Sequence, residues 1–387
     1  MTQHEYDNIS TTSSDHLEAS DLEQETLKPA QKMGKKKKIC LISLSICGLC
    51  CLVSCLVFLL VVAIYFGRRN VNVFPKPEYS SSDDYLHFLV VGDQGRADDA
   101  QKKVATSMGQ YCKTVKNCHF VVGVGDNIYN YGVTSVDDAQ FKTKFEDIYA
   151  VDGLEDLKWY MLLGNHDYRG NVQAQIDYTQ KSNRWILPSH FYSLVKNSTR
   201  NGFNVSMVML DTSPFVSFWT DPLMKTEYLN AQYERKQDQL NMMEKALLEN
   251  QNNNSWTLVF GHHHSKFIIE NVVQLTKVYS GSIGGNSKTM MESFLPLLQK
   301  YRAPIYISGH VHILNWLKDP QHATNYVISG AGSGNILWSV YNPFSMNVYS
   351  DPGFFSVEVQ TNFIFVIALD IDGKEIFRFR IDKNISP

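Results

Sequence analysis

The segment Leu86–Gly95, LHFLVVGDQG, predicts how this chain folds. Six mainly apolar residues run directly into Gly-Asp, the pattern of a buried strand that ends in a tight turn bearing a carboxylate. The pattern returns at Phe120–Tyr129, FVVGVGDNIY, and at Trp159–Asp167, WYMLLGNHD. Because helical stretches lie between these strands, the sequence predicts an α/β domain.

The alternation of strands and helices continues to about residue 310, after which strands dominate. Apolar runs predict further strands at 205–210, 256–260, 304–307, 326–329, 354–359, 363–370 and 376–381. Apolar periodicity predicts helices at 97–115, 135–149, 226–250 and 287–301. We therefore predict a mixed sandwich whose C-terminal strands are antiparallel.

Side chains of the types that bind metals follow most of these strands. They are Asp93, Asp126, Tyr129, Asn165, His262, His310 and His312. Ligands of open α/β sheets bind beyond the carboxyl ends of the strands, so these turns are expected to converge. Carboxylate and phenolate oxygens suit a trivalent ion, whereas imidazole nitrogen and amide oxygen suit a divalent one. The set predicts an asymmetric pair of metal ions with one carboxylate able to bridge them.

Composition excludes some functional classes. The 387 residues include 36 Lys and Arg against 39 Asp and Glu, and a net charge of −3 argues against a nucleic-acid-binding protein, which needs a basic surface. Hydrophobic residues make up 44% of the chain, which is typical of a globular protein and excludes a wholly disordered one.

The N-terminal part of the chain has a different pattern. Residues 1–38 are polar and predict a disordered tail, and residues 39–66 are 28 consecutive residues without a charge. That length exceeds the roughly 20 residues that cross a bilayer, and the apolar region of a cleaved signal peptide would be shorter. We predict an uncleaved transmembrane helix at 39–66, a linker at 67–83 and one folded domain at 84–387.

Charge flanking the apolar segment predicts its orientation. Six Lys lie between Lys28 and Lys38, whereas only Arg68 and Arg69 follow the segment directly. The positive-inside rule then predicts a single-pass type II protein with a cytoplasmic tail. The folded domain would face the lumen of a secretory compartment, such as an endosome or lysosome, or the cell exterior.

Two further patterns concern modification. Four N-x-S/T sequons follow the apolar segment and predict glycosylation on exposed loops, at Asn197, Asn204, Asn253 and Asn384. Only Cys112 and Cys118 lie outside the N-terminal apolar region. They could form a disulfide in an oxidising lumen or remain two buried thiols, and the sequence does not decide between these.

The five strand-end blocks, together with the segment Trp159–Tyr192 and YVISGAG from Tyr326, resemble the purple acid phosphatases. These enzymes belong to the calcineurin-like metallophosphoesterases, and the resemblance covers residues 84–382 and is greatest to the small tartrate-resistant type. It implies a four-layer αββα sandwich of two mixed sheets, preceded here by the predicted transmembrane helix.

The resemblance also implies a role for each site residue. Asp93, Tyr129 and His312 would bind Fe(III), Asn165, His262 and His310 would bind a divalent Fe, Zn or Mn ion, and Asp126 would bridge the two ions. Substrate-binding residues would be Asn165, His166, His264 and Asn271. The implied activity is acid phosphatase: a hydroxide activated by the metal pair attacks the phosphorus of a phosphomonoester, and His166 assists the leaving group.

The sequence departs from the family pattern at three positions. Gln94 replaces a frequent Trp, His264 replaces a Pro, and Asn271 replaces the second active-site His of the mammalian type. Two other functions remain open: a membrane-anchored scaffold or receptor that no longer catalyses, and a Zn or Mn phosphodiesterase or nucleotidase.

Overall fold

The computed structural model describes residues 84–115, 117–216, 223–225, 230, 232, 234–251, 255–264, 287–334 and 344–383. The predicted tail, transmembrane segment and linker lie outside these residues, as do Asn253, Asn271 and Asn384. All described residues belong to the unit Val71–Pro387. Within them, no helix has both the length and the apolar character needed to cross a membrane.

Seven strands form the first sheet. They are β1 Tyr85–Val91, β2 Phe120–Gly123, β3 Lys158–Met161, β4 Trp185–Ile186, β12 Gly353–Gln360, β13 Phe363–Asp370 and β14 Glu375–Asp382. Their spatial order is β14-β13-β12-β1-β2-β3-β4. Strands β1 to β4 are parallel, and β12 to β14 extend the sheet from β1 in antiparallel pairs.

The second sheet also has seven strands. They are β5 Tyr192–Asn197, β6 Asn204–Met209, β7 Trp256–Phe260, β8 Ile305–Ser308, β9 Leu314–Lys318, β10 Asn325–Ser329 and β11 Ser345–Tyr349. Their order is β11-β9-β10-β8-β7-β6-β5, with a parallel centre of β6, β7, β8 and β10. The chain is therefore mixed α/β with two mixed sheets.

Alternating side chains of both sheets form a shared core. Leu86, Phe88 and Val90 of β1 belong to one buried cluster with Leu258 and Phe260 of β7. Phe88 stacks on Phe120 at 4.8 Å between ring centroids and meets Phe260 edge-on at 6.3 Å. Because side chains alternate along a strand, the intervening residues of β1 face the opposite side, where helices pack.

Four α-helices with assigned bounds accompany the sheets in the described residues. They are α1 Asp99–Thr114, α2 Val172–Asp177, α3 Lys236–Gln251 and α4 Ser287–Lys300. Helix α1 begins where the Asp98 carboxylate accepts a hydrogen bond from the Gln101 backbone N–H, and it contacts β12 of the first sheet. Helix α3 contacts β5, β6 and β7 of the second sheet and also contacts α4.

Most strands predicted from the sequence are confirmed within two residues, but the helix predicted at 135–149 is confirmed only in its middle. Residues 140–146 are helical, and Lys142–Glu146 within them form a short π-helical segment. The Asp138 carboxylate accepts hydrogen bonds from the backbone N–H groups of Thr134 and Gln140, at 2.8 and 3.0 Å, and holds the preceding stretch in turns. Within the described part of the stretch predicted as helix at 226–250, Asn230 and Gln232 are helical, a turn follows at 234–235, and the long helix runs Lys236–Gln251.

The structure places the modification candidates at two edges of the domain. Cys112 in α1 and Cys118 before β2 are joined by a disulfide, with 5.2 Å between their Cα atoms. Asn197 and Asn204 face each other across the β5–β6 pair, and both are exposed. Among the described residues, β5 is the outermost strand of its sheet, so a glycan at this end would lie beside the sheet edge.

Candidate metal centre

The metal-ligand-type side chains converge at the carboxyl ends of parallel strands from both sheets. Strands β1, β2 and β3 lead into Asp93, Asp126 and Asn165, while β7 and β8 lead into His262 and His310. The turns are tight because glycines precede these residues. A Cβ on Gly164 would lie 2.2 Å from Asp126 Oδ1, and one on Gly309 would lie 2.6 Å from Asp93 Oδ2.

Left-handed backbone also marks these turns. The described chain has six non-glycine residues at positive φ, and three of them are ligand-type residues: Asp93 at 59°, Asp126 at 54° and His310 at 70°. Such conformations are unfavourable for residues with a Cβ and tend to cluster at functional sites. Three of these six strained residues therefore carry side chains of the candidate site.

One group of donors surrounds the Tyr129 hydroxyl. It lies 3.0 Å from Asp93 Oδ1, 2.9 Å from Asp126 Oδ2 and 3.1 Å from His312 Nε2. His312 Nε2 is in turn 3.3 Å from Asp93 Oδ1. One phenol proton cannot serve two buried carboxylates, so this group fits a cation better than it fits protons alone.

A second group surrounds the Asn165 side-chain oxygen. Its Oδ1 lies 3.2 Å from His262 Nε2 and 3.1 Å from His310 Nδ1. His262 Nδ1 lies 2.9 Å from the Val124 carbonyl, to which it donates, so Nε2 is the nitrogen that faces the site. This arrangement is typical of a histidine that binds a metal through Nε2.

The Asp126 carboxylate joins the two groups. Oδ2 accepts from the Tyr129 hydroxyl, whereas Oδ1 lies 3.4 Å from His262 Nε2 and accepts from the His166 backbone N–H at 2.8 Å. Asp126 therefore occupies the position that a carboxylate bridging two ions would need. The residues present fit a pair of metal ions, with an oxygen-rich group and a nitrogen-rich group.

Without a metal, Tyr129 and His262 both hold their protons more tightly than usual. Burial raises the pKa of the Tyr129 phenol well above its ordinary value, and the Asp126 and Asp93 carboxylates raise it further. Burial lowers the pKa of His262, but the charge and hydrogen bond of Asp126 outweigh this and raise that pKa to about 9. A bound cation would replace the protons on both residues, because metal ligands bind in their deprotonated forms.

His166 lies on the open side of the centre. Its side chain is 18% exposed, and its Nε2 is 3.9 Å from Asp126 Oδ2. Its Nδ1 lies 2.8 Å from the Asn130 carbonyl and 2.9 Å from Arg169 Nη1. A side chain that is tethered beside the carboxylate yet reaches solvent is suited to contact a substrate.

Sequence reasoning gave Asp167 no role, although the structure assigns it one in positioning the site. Its carboxylate accepts from the backbone N–H groups of Gly164 and Ile128, at 2.8 and 3.2 Å, and from the Gln175 side chain at 2.9 Å. Burial, together with the nearby Asp126, raises the pKa of Asp167 to about 7. The residue ties the turn after β3 to the turn after β2, a role its place in the GNHD motif could not reveal.

Arg96 and His263 also lie near the centre, although the sequence does not mark either as a site residue. The Arg96 guanidinium lies 3.8 Å from the centroid of the Tyr129 ring. His263 is buried beside His262, and the ring of His264, which was predicted to bind substrate, is 6.0 Å from that of His310. Asn271, also predicted to bind substrate, lies outside the described residues.

The chain is similar to a known family and to several characterised proteins. Residues 86–314 match the calcineurin-like phosphoesterase family. The rabbit (Oryctolagus cuniculus) tartrate-resistant acid phosphatase type 5 is 33% identical over 313 residues, which cover 77% of this chain and 91% of the relative. Purple acid phosphatase 4 of Arabidopsis thaliana is 32% identical over 78% of this chain and 85% of its own length.

Two solved structures share the fold at lower identity. One is GAP50, described as the anchor in the inner membrane complex of Plasmodium, with a TM-score of 0.63 and 22% identity over 77% of this chain and 89% of that one. The other is the purple acid phosphatase PPD1 of yellow lupin, with a TM-score of 0.55 and 15% identity over 79% of this chain and 55% of that one.

Replacing Asp126 tests the joined arrangement. Asp126→Asn should leave the chain folded but lower its metal content below two ions per chain, because a neutral amide cannot share charge between two cations. Metal content can be measured by plasma mass spectrometry, with circular dichroism as the check on folding. A folded variant that kept two ions per chain would contradict the bridging position.

Asp84→Asn is the matched control. The Asp84 carboxylate lies at the opposite end of β1 and accepts from the backbone N–H groups of Arg200 and Gly202, at 2.7 and 2.8 Å. Its metal content should equal that of the unchanged chain.

Proposed function

The chain belongs to the calcineurin-like phosphoesterase family, among the purple acid phosphatases, and from this we propose that it hydrolyses phosphomonoesters at a dinuclear metal centre in a four-layer αββα domain. The observation that carries the proposal is the pair of buried donor groups joined by Asp126. All seven donors of the family pattern are present in this chain.

The two groups differ in chemistry, and this supports an asymmetric metal pair. Asp93, Tyr129 and His312 would hold Fe(III), and the Asn165, His262 and His310 group would hold a divalent ion, with Asp126 shared between them. When bound, the two ions would neutralise phosphate charge and lower the pKa of a water molecule. Oxygen donors favour the harder trivalent ion, and imidazole favours the divalent one.

We propose His166 as the group that donates a proton to the leaving oxygen. The His166 backbone N–H is tied to Asp126 Oδ1, and the Asn130 carbonyl holds its Nδ1, so the ring is fixed with Nε2 toward the site. Its partial exposure places Nε2 where a bound ester oxygen could reach it. An alkoxide needs such a proton to depart, whereas a p-nitrophenolate leaves without one.

Leaving-group dependence tests this role. His166→Ala should lower turnover of alkyl phosphates by about 10²-fold or more, and turnover of p-nitrophenyl phosphate much less, because general acid catalysis contributes typically 10²–10⁴-fold. Steady-state kinetics of the metal-loaded chain over a series of phosphomonoesters measure the difference. An equal, small loss on every ester would remove His166 from the proton transfer. His322→Ala is the control, since His322 pairs with Asp319 outside the centre.

A scaffold function is the second candidate, and it is favoured by the likeness to GAP50, the neighbour described as an anchor in an inner membrane complex. That likeness concerns the fold alone. The complete donor set favours an enzyme, because a chain that serves only as a scaffold has no physical need to bury these polar groups together. A chain that contains both metals yet turns over no phosphomonoester, diester or nucleotide would support the scaffold.

Colour tests the Fe(III) assignment. An iron-loaded chain should absorb visible light through charge transfer from the Tyr129 phenolate, and Tyr129→Phe should abolish that band while leaving some hydrolysis. Absorption spectra with parallel iron analysis provide the measurement. An active, iron-containing chain without a visible band would favour a Zn or Mn centre, as in the phosphodiesterase or nucleotidase alternative.

We further propose that residues 39–66 anchor the chain as a single-pass type II membrane protein whose catalytic domain faces a lumen or the exterior. The uncharged segment and the preceding Lys residues support this orientation. External protease on sealed microsomes should remove the short tail and spare the domain, unless detergent is added. Digestion of the domain in intact vesicles would reverse the orientation.

Glycan should be carried by Asn204 or by its cross-strand neighbour Asn197. A shift in electrophoretic mobility that is lost on Asn→Gln replacement would report the glycan.

A further inference from the structure

His263 is a buried polar residue that the proposed mechanism does not use. It follows His262 directly and is 1% exposed. Its ring centroid lies 4.5 Å from that of His310 and 4.9 Å from that of His262. Ring nitrogens of these three histidines come within 4.8 Å of one another, which at first suggests a third nitrogen ligand for the divalent ion.

The hydroxyl of Thr212 argues against that ligand role. Thr212 Oγ1 lies 3.2 Å from the His262 backbone nitrogen, 3.0 Å from the His263 backbone nitrogen and 2.8 Å from His263 Nδ1. A hydroxyl accepts two hydrogen bonds and donates one. The two backbone N–H groups can only donate, so they use both acceptor positions, and the hydroxyl hydrogen must point to His263 Nδ1.

The proton of the His263 ring is therefore on Nε2. When Nδ1 accepts a hydrogen bond the imidazole carries its proton on Nε2, and a protonated nitrogen has no lone pair with which to bind a metal. His263 Nε2 is fully buried and has no hydrogen-bond partner among the residues that the structure describes. The ring thus presents a fixed, buried N–H donor beside the nitrogen-rich group of the centre.

We propose that the His263 Nε2–H group donates a hydrogen bond to an oxygen of a phosphoryl group bound at the centre. This inference rests on the proposed function, because it names a contact of the same site with its substrate. Phosphate oxygens are strong acceptors and carry charge, and a hydrogen bond to a charged group is worth more than one between neutral groups.

Replacing His263 by Asn or by Gln, the two residues with a carboxamide side chain, provides a matched test. The amide nitrogen of Gln can occupy the position of a histidine Nε2, whereas the shorter Asn reaches only the position of Nδ1. His263→Asn should keep a partner for the Thr212 hydroxyl and lose the outer donor, while His263→Gln should keep the outer donor. Inorganic phosphate is the probe, and its affinity for the metal-loaded full-length chain can be measured by titration calorimetry.

We expect His263→Asn to weaken phosphate binding by about 10- to 100-fold, the range for a hydrogen bond to a charged group, and His263→Gln to weaken it by no more than about threefold. Both variants should retain two metal ions per chain by mass spectrometry. Loss of a metal ion from both variants would show that His263 is a ligand and would overturn the inference. Equal phosphate affinity in all three proteins would overturn it too.

The same experiment separates this inference from the proposed function. If the unchanged chain held two metals but bound no phosphate, the phosphatase proposal would fail and the inference with it. If the unchanged chain bound phosphate and hydrolysed phosphomonoesters while the Asn and Gln variants did not differ, only the role of His263 would fail.

Discussion

Seven polar side chains lie where the parallel strands of two sheets end, in a region almost closed to water, and their burial must be compensated within the centre itself. The Asp126 carboxylate provides much of that compensation, because it accepts from the Tyr129 hydroxyl on one side and faces His262 on the other. Asp167 in turn holds the turn that carries Asp126 by accepting from backbone N–H groups on two loops. Each sheet therefore supplies partners for polar groups that the other sheet could not bury alone.

The sheets determine how close these charges can lie. Each ligand leaves its strand through a turn with glycine beside it, and at Gly164 and Gly309 a side chain would collide with Asp126 or Asp93. The core between the sheets fixes the distance between them, since β1 and β7 pack against each other through Phe88 and Phe260. A cavity-forming change at these rings, which do not belong to the centre, would alter the distance between the two donor groups.

Much of this arrangement could be read from the sequence, and what could not depended on contacts made only in the folded chain. Strand-end Gly-Asp, Gly-Asn-His and Gly-His motifs indicate both the strands and their common edge, because local pattern and chemistry agree there. Edge strand β5 alternates half-buried and exposed residues without a strong apolar run, so it carries little signal. The positions of Asp167 and Thr212 as hydrogen-bond partners join loops 40 or more residues apart, and no local pattern encodes such partners.

The backbone itself bears on whether the centre is functional. Asp93, Asp126 and His310 adopt left-handed conformations that cost on the order of 1–3 kcal/mol each, and such conformations persist only where the surroundings enforce them. A fold that served only as a platform could relieve that strain with glycine at all three positions, at no loss of packing between the sheets. In this chain the strain is instead offset by the contacts that the three side chains make with Tyr129, His262 and Asn165. Three strained residues that all belong to one set of donors are a physical reason to expect that this set binds a ligand.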